Sequence, residues 1–250
     1  LAGAIDADAV LVSVQAANSE LGSIEPVREL AAIAHAHGAL FHVDATQALG
    51  KMPLDVGEWD VDAASFSAHK VGGPKGIGAL YLRARTPLAA FQLGGGQEAG
   101  RRSGTQNVMG AAGFAAACHA VCAMEPEESA RLRELRDELY EKLSQVPGVR
   151  PTVDVPRGSQ DFLPNIVHVI VRDLESETLI LRLDMKGFGV SGGSACSSHS
   201  LEPSHVLRSI GVEGDDAYGA LRISMGRYTT SDDIDRFLIA FDEALNWNRG

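Results

Sequence analysis

Cysteine is scarce in this sequence. The 250 residues include three cysteines, Cys118, Cys122 and Cys196, and an odd number this small does not supply the paired framework of a disulfide-rich secreted domain. Free thiols persist in a reducing compartment, so we expect a cytoplasmic protein. We identify no set of further ligands that would complete a metal site at Cys118 and Cys122, and we therefore predict none there.

Basic residues are also few. Lysine and arginine number 22 against 33 acidic residues, which gives a formal net charge of −11. Nucleic-acid binding needs clustered basic side chains that neutralise phosphates, so we expect no nucleic-acid partner. We find no apolar stretch near the ~20 residues that cross a membrane, and residues 1–14 lack the basic start and cleavage site of a signal peptide. We therefore expect no membrane partner.

An initiating methionine is missing as well. The first residue is Leu1, and a strand-like segment follows almost at once, so we expect that the protein is truncated at its N-terminus. The residues that are present are 45% hydrophobic, which is enough to form a sizeable core.

The order of apolar segments indicates an α/β fold. Residues 10–14 form an apolar run of strand length, a helix opened by proline is predicted over residues 26–37, and residues 39–43 predict the next strand. Strand, helix and strand in close succession favour a parallel sheet, whose functional site lies beyond the carboxyl ends of its strands. Further strands are predicted at residues 63–67 and 78–83.

The pattern changes in the second half of the sequence. Helices are predicted over residues 108–124 and 127–143, and beyond Pro147 short strands and helices follow one another without regular alternation. The remaining predicted elements are strands at residues 166–171 and 219–224 and helices at residues 175–183 and 232–245. We therefore predict two domains: the C-terminal part of a mainly parallel-sheet domain in residues 1–116, and a smaller α+β domain in residues 117–250.

Two groups with reactive side chains stand at predicted strand ends. Asp44 directly follows one strand, and Lys70 follows the next, with Ser67 and His69 close to it in sequence. Taken alone, such an aspartate is most often a turn residue and such a lysine a solvated surface residue. Together at one sheet edge they favour a lysine that forms a Schiff base. Lys75 is the alternative, but it lies in a glycine- and proline-rich turn and follows no strand directly, so we prefer Lys70.

Six short motifs resemble those of a known family. They are NSELG at residues 18–22, VDATQ at 43–47, SFSAHK at 65–70, GPKGIGAL at 73–80, RSGT at 102–105 and GSAC at 193–196. Their types and order resemble cysteine desulfurases, which are class V aminotransferase-like enzymes on the type I pyridoxal-phosphate fold. The resemblance runs from about residue 10 to residue 228 and so covers most of the chain. It implies an enzyme that uses pyridoxal phosphate to convert L-cysteine to L-alanine.

The resemblance assigns roles around the cofactor. Lys70 would hold pyridoxal 5'-phosphate covalently and later move the α-proton of the substrate. Asp44 would pair with the pyridine nitrogen, so that the ring can withdraw electrons. Gln47 and Asn18 would form hydrogen bonds near the ring hydroxyl.

Four further residues complete the implied site. Ser67 and His69 would contact the phosphate. Thr105 resembles the residue that reaches the phosphate across a dimer interface, which implies a homodimer. Arg222 resembles the arginine that binds the substrate carboxylate, for which its planar fork of donors is better suited than a lysine. Taken alone, Arg222 would be interpreted as a surface residue on a strand.

The resemblance makes Cys196 the sulfur-accepting nucleophile. It lies in the small, polar stretch 191–200, whereas Cys118 and Cys122 are four residues apart on one helix face and are expected to fill core space. Cys196 would take sulfur from L-cysteine as a persulfide. It would then pass the sulfur to an acceptor or scaffold protein, for iron–sulfur cluster assembly or another sulfur modification. His199 would assist by proton transfer or, equally, be a solvated loop residue.

Three alternatives stay open. A selenocysteine lyase or a related pyridoxal-phosphate lyase would share these motifs. An inactive, truncated or interaction form of the same fold would keep them without catalysis, and the family's N-terminal phosphate loop and ring-stacking histidine have no match in residues 1–250. Gly94-x-Gly96-x-x-Ala99 also weakly satisfies a dinucleotide-binding pattern, but that pattern requires a preceding strand and a helix that opens within it, and residues 101–104 are predicted as loop, so we disfavour this alternative.

Overall fold

The computed structural model describes residues 1–193 and 203–247. They group into two compact units, of which the first comprises Leu1–Ala17 with Glu25–Pro126 and the second comprises Asn18–Ile24 with Glu127–Gly250. The sequence predicted a boundary between residues 116 and 117, whereas the units divide after Pro126 and the second unit gains a short early segment. A helix continues past residue 116, so no change in local structure marks the predicted boundary.

The first unit is built on a four-stranded sheet. Its strands are β1 (Leu11–Gln15), β2 (Leu40–Asp44), β3 (Ala63–Ser67) and β4 (Gly78–Leu82), in that spatial order. β1, β2 and β3 are parallel, and β4 is antiparallel to β3. Helix α1 (Val27–Ala36) connects β1 to β2. The predicted α/β class and mainly parallel sheet are confirmed.

Apolar side chains on one face of this sheet form the core of the first unit. Phe41 and Val43 alternate along β2 and are fully buried, and α1 contributes Val27, Ala31 and Ala34. The helix residues recur at intervals of four and three, which places them on one face toward the sheet. The strands are therefore held firmly by this core, and their carboxyl ends have fixed positions.

A single long helix replaces the two that the sequence predicted. Helix α2 spans Val108–Leu143 and contains Pro126. The expected break is wrong because the fixed φ of proline is compatible with a helix, although one backbone donor is lost. By length and composition alone, one 18-residue window of α2 could cross a membrane, and 11% of that window is buried. The expectation that no such stretch exists is therefore wrong by this criterion, and a single helix of this kind is weak evidence for a membrane span.

The second unit is a smaller α+β assembly. Strands β5 (Val149–Pro151), β6 (Ile166–Val171) and β7 (Ala220–Ser224) form its antiparallel sheet in that order. Its further helices are α3 (Ser176–Asp184), α4 (His205–Ser209), α5 (Asp215–Tyr218) and α6 (Ser231–Leu245). All six residues of β6 are buried, and His168 is the one polar residue among them. The α+β character predicted for the second half is found here.

Helix α6 begins at a capping box and closes the core of the second unit. The Thr230 side chain accepts a hydrogen bond from the Asp233 backbone N–H, and the Asp233 carboxylate accepts one from the Thr230 N–H. These bonds satisfy donors that the first turn of a helix leaves unpaired. Ile234, Phe237 and Phe241 follow at helical spacing and are buried in the core.

A buried ion pair fixes the loop that precedes β6. Arg136 on α2 is fully buried, and its Nη2 and Nε donate to Asp137 Oδ1 at 2.8 and 3.0 Å. Its Nη1 donates to the Phe162 carbonyl at 3.0 Å, and its Nη2 donates to the Ser159 carbonyl at 3.1 Å. Asp137 Oδ2 accepts a bond from the Gly158 N–H at 2.7 Å. Each group of the pair is therefore compensated, which a buried charge requires.

Replacement of Arg136 should destabilise the second unit strongly. We expect Arg136→Ala to lower the free energy of unfolding by about 3–5 kcal/mol, because Asp137 is left as an uncompensated buried charge. Arg157→Ala is the control: Arg157 pairs with Glu141 at the surface, where the two side chains are 73% and 64% exposed, and such pairs contribute at most about 1 kcal/mol. Urea unfolding followed by circular dichroism measures both. Equal losses in the two variants would contradict this account.

Candidate active site

The ladder between β2 and β3 aligns the groups at the edge of the first unit's sheet. Asp44 stands opposite Ser65 in the parallel register, and the Ala45 N–H donates to the Ser65 carbonyl at 3.0 Å. The ladder thus continues to the end of β2. The side chain of Asp44 is exposed at this edge, and its Oδ1 accepts a bond from the Thr46 N–H at 2.9 Å. Asp44 is therefore the last residue of β2, and its second carboxylate oxygen can accept a bond from a ligand.

The turn after β2 holds Gln47 in a defined orientation. Gln47 is half-buried, and its side-chain Oε1 accepts a hydrogen bond from Lys51 Nζ at 2.9 Å. The same Nζ donates to the Gln47 backbone carbonyl at 3.2 Å. Burial, and then the positive charge of Lys70, lower the pKa of Lys51 to about 8. Sequence reasoning missed Lys51, although its position four residues after Gln47 is a spacing that brings side chains together in a helical turn.

Ser67, His69 and Lys70 lie together where β3 ends. The strand stops at Ser67, and a 3₁₀ turn (Ala68–Val71) follows directly. The Ser67 Oγ and His69 Nδ1 share a hydrogen bond of 2.7 Å. His69 and Lys70 are exposed, whereas Ala68 between them and the strand is buried. The imidazole of His69 is therefore bonded to the hydroxyl of Ser67, and the side chain of Lys70 is exposed next to it in sequence.

Glycines shape the turn behind Lys70. Gly72 ends the 3₁₀ turn with φ +77°, a conformation that side chains rarely adopt. A Cβ at Gly78 would lie 2.6 Å from the Phe66 carbonyl oxygen, so only glycine permits β4 to pair this closely with β3. Lys75 lies in the exposed turn between them. The preference for Lys70 over Lys75 is supported by this placement and stays a prediction.

Thr105 ends a loop that is stabilised by hydrogen bonds between its own residues. The Ser103 Oγ donates to the Leu93 carbonyl at 2.9 Å, and the Gly104 N–H donates to Gln97 Oε1 at 3.3 Å. Thr105 itself is exposed. The loop contains a 3₁₀ turn (Gln97–Gly100) in place of the α-helix that a dinucleotide fingerprint needs. The dinucleotide alternative is therefore excluded.

Arg222 is half-buried in the second unit. It lies on β7, opposite His168 of β6, and its Nη1 donates to the Ser19 carbonyl at 2.8 Å. Its buried Nε has no partner among the described residues. Burial lowers the pKa of Arg222, and the charge of Glu20 opposes that effect. Its unused donor suits a carboxylate ligand, and its predicted contact with the substrate stays a prediction.

Asn18 has a structural role in the second unit. It is 7% exposed, and its side-chain oxygen accepts bonds from the N–H groups of Glu20 and Leu21 at 2.8 and 2.9 Å. The amide NH₂ is then the group that can donate to a ligand. Its predicted contact with the cofactor ring stays a prediction.

Two of the three cysteines, Cys118 and Cys122, lie within the described residues. Cys196 and His199 lie outside the described residues, so their predicted roles stay predictions. Cys118 is half-buried and Cys122 is exposed. The expectation that both fill core space is therefore wrong for Cys122, because its part of α2 is on the surface of the described first unit. Burial, and then the proximity of Cys122, raise the pKa of the Cys118 thiol.

The groups at the edge of the first unit's sheet fit pyridoxal phosphate by their chemistry. A carboxylate suits the ring nitrogen, an amide suits the ring oxygen, a hydroxyl and an imidazole suit the phosphate, and a primary amine suits the aldehyde. The structure brings five of the predicted residues to the carboxyl ends of β2 and β3: Asp44, Gln47, Ser67, His69 and Lys70. Thr105 belongs to the same unit, whereas Asn18 and Arg222 belong to the second.

Comparisons with known proteins agree with this chemistry. A cysteine desulfurase IscS of Clostridium botulinum is 40% identical over 247 residues, which are 98% of this chain and 62% of that protein. A solved NifS-like protein has a TM-score of 0.89 at 37% identity and covers 98% of this chain and 64% of its own. The structure of SspA in complex with cysteine has a TM-score of 0.71 at 30% identity, with 92% and 62% covered.

The chain spans about three fifths of the length of the curated relatives that it matches. Its residues 1–237 match the family described as aminotransferase class-V. That match includes both strand ends of the first unit and Arg222 of the second. The chain therefore belongs to the aminotransferase class-V family.

Proposed function

We propose that the protein to which this chain belongs is a pyridoxal-phosphate-dependent cysteine desulfurase. It converts L-cysteine to L-alanine and passes the sulfur on as a persulfide. The observation that carries the proposal is the placement of Lys70 beside His69 and Ser67, on the sheet edge that also carries Asp44. The identity with a cysteine desulfurase over 98% of the chain supports the same activity.

The residues of the first unit bind and orient the cofactor. When bound, pyridoxal phosphate supplies an electron sink for the α-carbon of an amino acid. Asp44 would accept a hydrogen bond from the protonated ring nitrogen and so keep the ring electron-poor. Ser67 and His69, whose side chains share a hydrogen bond of 2.7 Å, would contact the phosphate. Lys70 would hold the cofactor through its amine and would move the α-proton of the substrate.

Arg222, Cys196 and His199 have the roles proposed for the substrate and the sulfur. Arg222 binds the substrate carboxylate, for which its partly desolvated guanidinium has an unused donor. The thiolate of Cys196 attacks the sulfur of cysteine, so that an S–S bond forms and the Cβ–S bond breaks. The balance is L-cysteine plus the enzyme thiol giving L-alanine plus the enzyme persulfide. His199 serves the proton transfers, and an acceptor or scaffold protein then takes the outer sulfur.

A homodimer is part of the proposal. The first unit exposes large apolar side chains on the segment that contains Thr105 and on the start of α2, where Phe91, Leu93 and Met109 are 101%, 82% and 87% exposed. An exposed apolar surface of this kind favours association, and a second copy would place Thr105 at the partner's phosphate. We also propose a cytoplasmic location, since a reducing compartment keeps the sulfur-carrying thiol free.

Loss of Lys70 should abolish the visible absorption of the bound cofactor. We expect this chain, incubated with pyridoxal phosphate, to form a yellow lysine-linked band that Lys70→Ala removes. Lys75→Ala is the matched control, because Lys75 is an exposed lysine five residues away in the following turn, and it should retain the band. Absorption spectra of the three proteins decide this. A band that survives in Lys70→Ala and disappears in Lys75→Ala would contradict the assignment.

Loss of Cys196 should stop sulfur transfer while cofactor binding is kept. We expect Cys196→Ser to lower alanine formation from cysteine by a factor on the order of 10³ or more, since the covalent nucleophile is removed. The visible band should be unchanged. Cys122→Ser, at an exposed thiol of α2, is the control and should be neutral. Persulfide labelling and alanine release in the full-length protein measure the effect, and normal turnover in Cys196→Ser would refute the role. Rates with selenocysteine in parallel distinguish a selenocysteine lyase.

A further inference from the structure

The amine of Lys51 forms hydrogen bonds with Gln47. Its Nζ lies 2.9 Å from Gln47 Oε1 and 3.2 Å from the Gln47 backbone oxygen. An ammonium group only donates hydrogen bonds, whereas an amide offers one oxygen acceptor and one NH₂ donor. The contact therefore fixes which end of the Gln47 amide faces Lys51. The oxygen is engaged, and the NH₂ is left for another partner.

The backbone around Lys51 is itself held in place. The Leu49 N–H donates to the Ala45 carbonyl at 3.1 Å, and the Lys51 N–H donates to the Ala48 carbonyl at 3.0 Å. Gly50 adopts φ +67°, and a Cβ there would lie 2.5 Å from Val121 Cγ2 of α2. Any larger residue would push the turn away from α2. The turn therefore delivers Lys51 to Gln47 by close packing as well as by hydrogen bonds.

We infer that Lys51 is a positioning residue that makes Gln47 a hydrogen-bond donor toward the cofactor ring. The inference rests on the proposed function, because it requires pyridoxal phosphate at the edge of the first unit's sheet. The ring oxygen of the lysine-bound cofactor carries negative charge and accepts hydrogen bonds. A Gln47 amide that presented its oxygen would repel it. Lys51 prevents that orientation, and it acts on the cofactor through Gln47.

The surroundings of Lys51 are consistent with this role. Its side chain is half-buried, and burial with the nearby charge of Lys70 lowers its pKa to about 8. Burial of an ammonium group is unfavourable unless its hydrogen bonds are satisfied. Two of them are satisfied by the oxygens of Gln47. The Lys51 amine is therefore held against both oxygens of Gln47.

The affinity for pyridoxal phosphate tests the inference. We expect Lys51→Met to raise the apparent Kd roughly 5- to 10-fold, the size of one lost hydrogen bond, and to move the pH midpoint of the visible band upward, because the ring oxygen loses a donor and becomes more basic. Lys51→Arg keeps a donor and should restore both values in part. Lys75→Met, at an exposed lysine of the same unit, should change neither.

A double-mutant cycle separates positioning from a general structural role. If Lys51 acts through Gln47, Lys51→Met should change the Kd by less than about 2-fold in a Gln47→Ala background, because coupled residues are not additive. Independent losses of full size in the two variants would overturn the inference, as would an unchanged Kd and pH midpoint in Lys51→Met. A Lys70-dependent band in the wild type with no effect of Lys51 refutes this inference alone. A wild type without any such band refutes the proposed function.

Discussion

The parallel ladder between β2 and β3 is the constraint on which the proposed cofactor site depends. It places Asp44 opposite Ser65 and continues through Ala45, so both strands end at the same edge. Because the apolar face of the sheet is buried beneath α1, neither strand can slip by one residue without exposing its core side chains. Asp44 and Lys70 are far apart in sequence, yet this register brings their segments together.

The turns that follow β2 and β3 determine which side chains are present at this edge of the sheet. After β3, the 3₁₀ turn buries Ala68 and displays His69 and Lys70. After β2, a hydrogen-bonded turn carries Gln47 and returns Lys51 to it. In both turns a glycine makes the geometry possible, at Gly72 and Gly50, each with positive φ. Each strand thus contributes one of the proposed cofactor-binding groups directly and others through the turn that follows it.

The second unit relies on compensated burial of polar groups. Arg136 is fully buried with several acceptors. Arg222 is held by the Ser19 carbonyl, yet its Nε is unpaired among the described residues. A fully paired arginine is structural, whereas one with a buried unused donor is suited to bind a ligand. This difference distinguishes the two arginines more clearly than sequence alone can.

Much of this architecture could be predicted because the signals are local. Strands β3 and β6 have the predicted bounds, because each is a short segment rich in residues that favour strands. The predicted break between residues 124 and 127 is wrong because the φ of Pro126 fits a helix. Strand β5 was missed because three residues carry little pattern. Lys51 was missed because its role depends on a contact with Gln47, and a single lysine gives no such signal.

The most direct test of the central claim is to locate the cofactor attachment. The chain is loaded with pyridoxal phosphate, reduced with borohydride and digested, and the phosphopyridoxyl group is mapped by mass spectrometry with fragmentation. The account predicts the label on Lys70, at the end of β3. A label confined to Lys75 or Lys51 would show that the register of β2 and β3 does not place the reactive amine, and it would contradict the account.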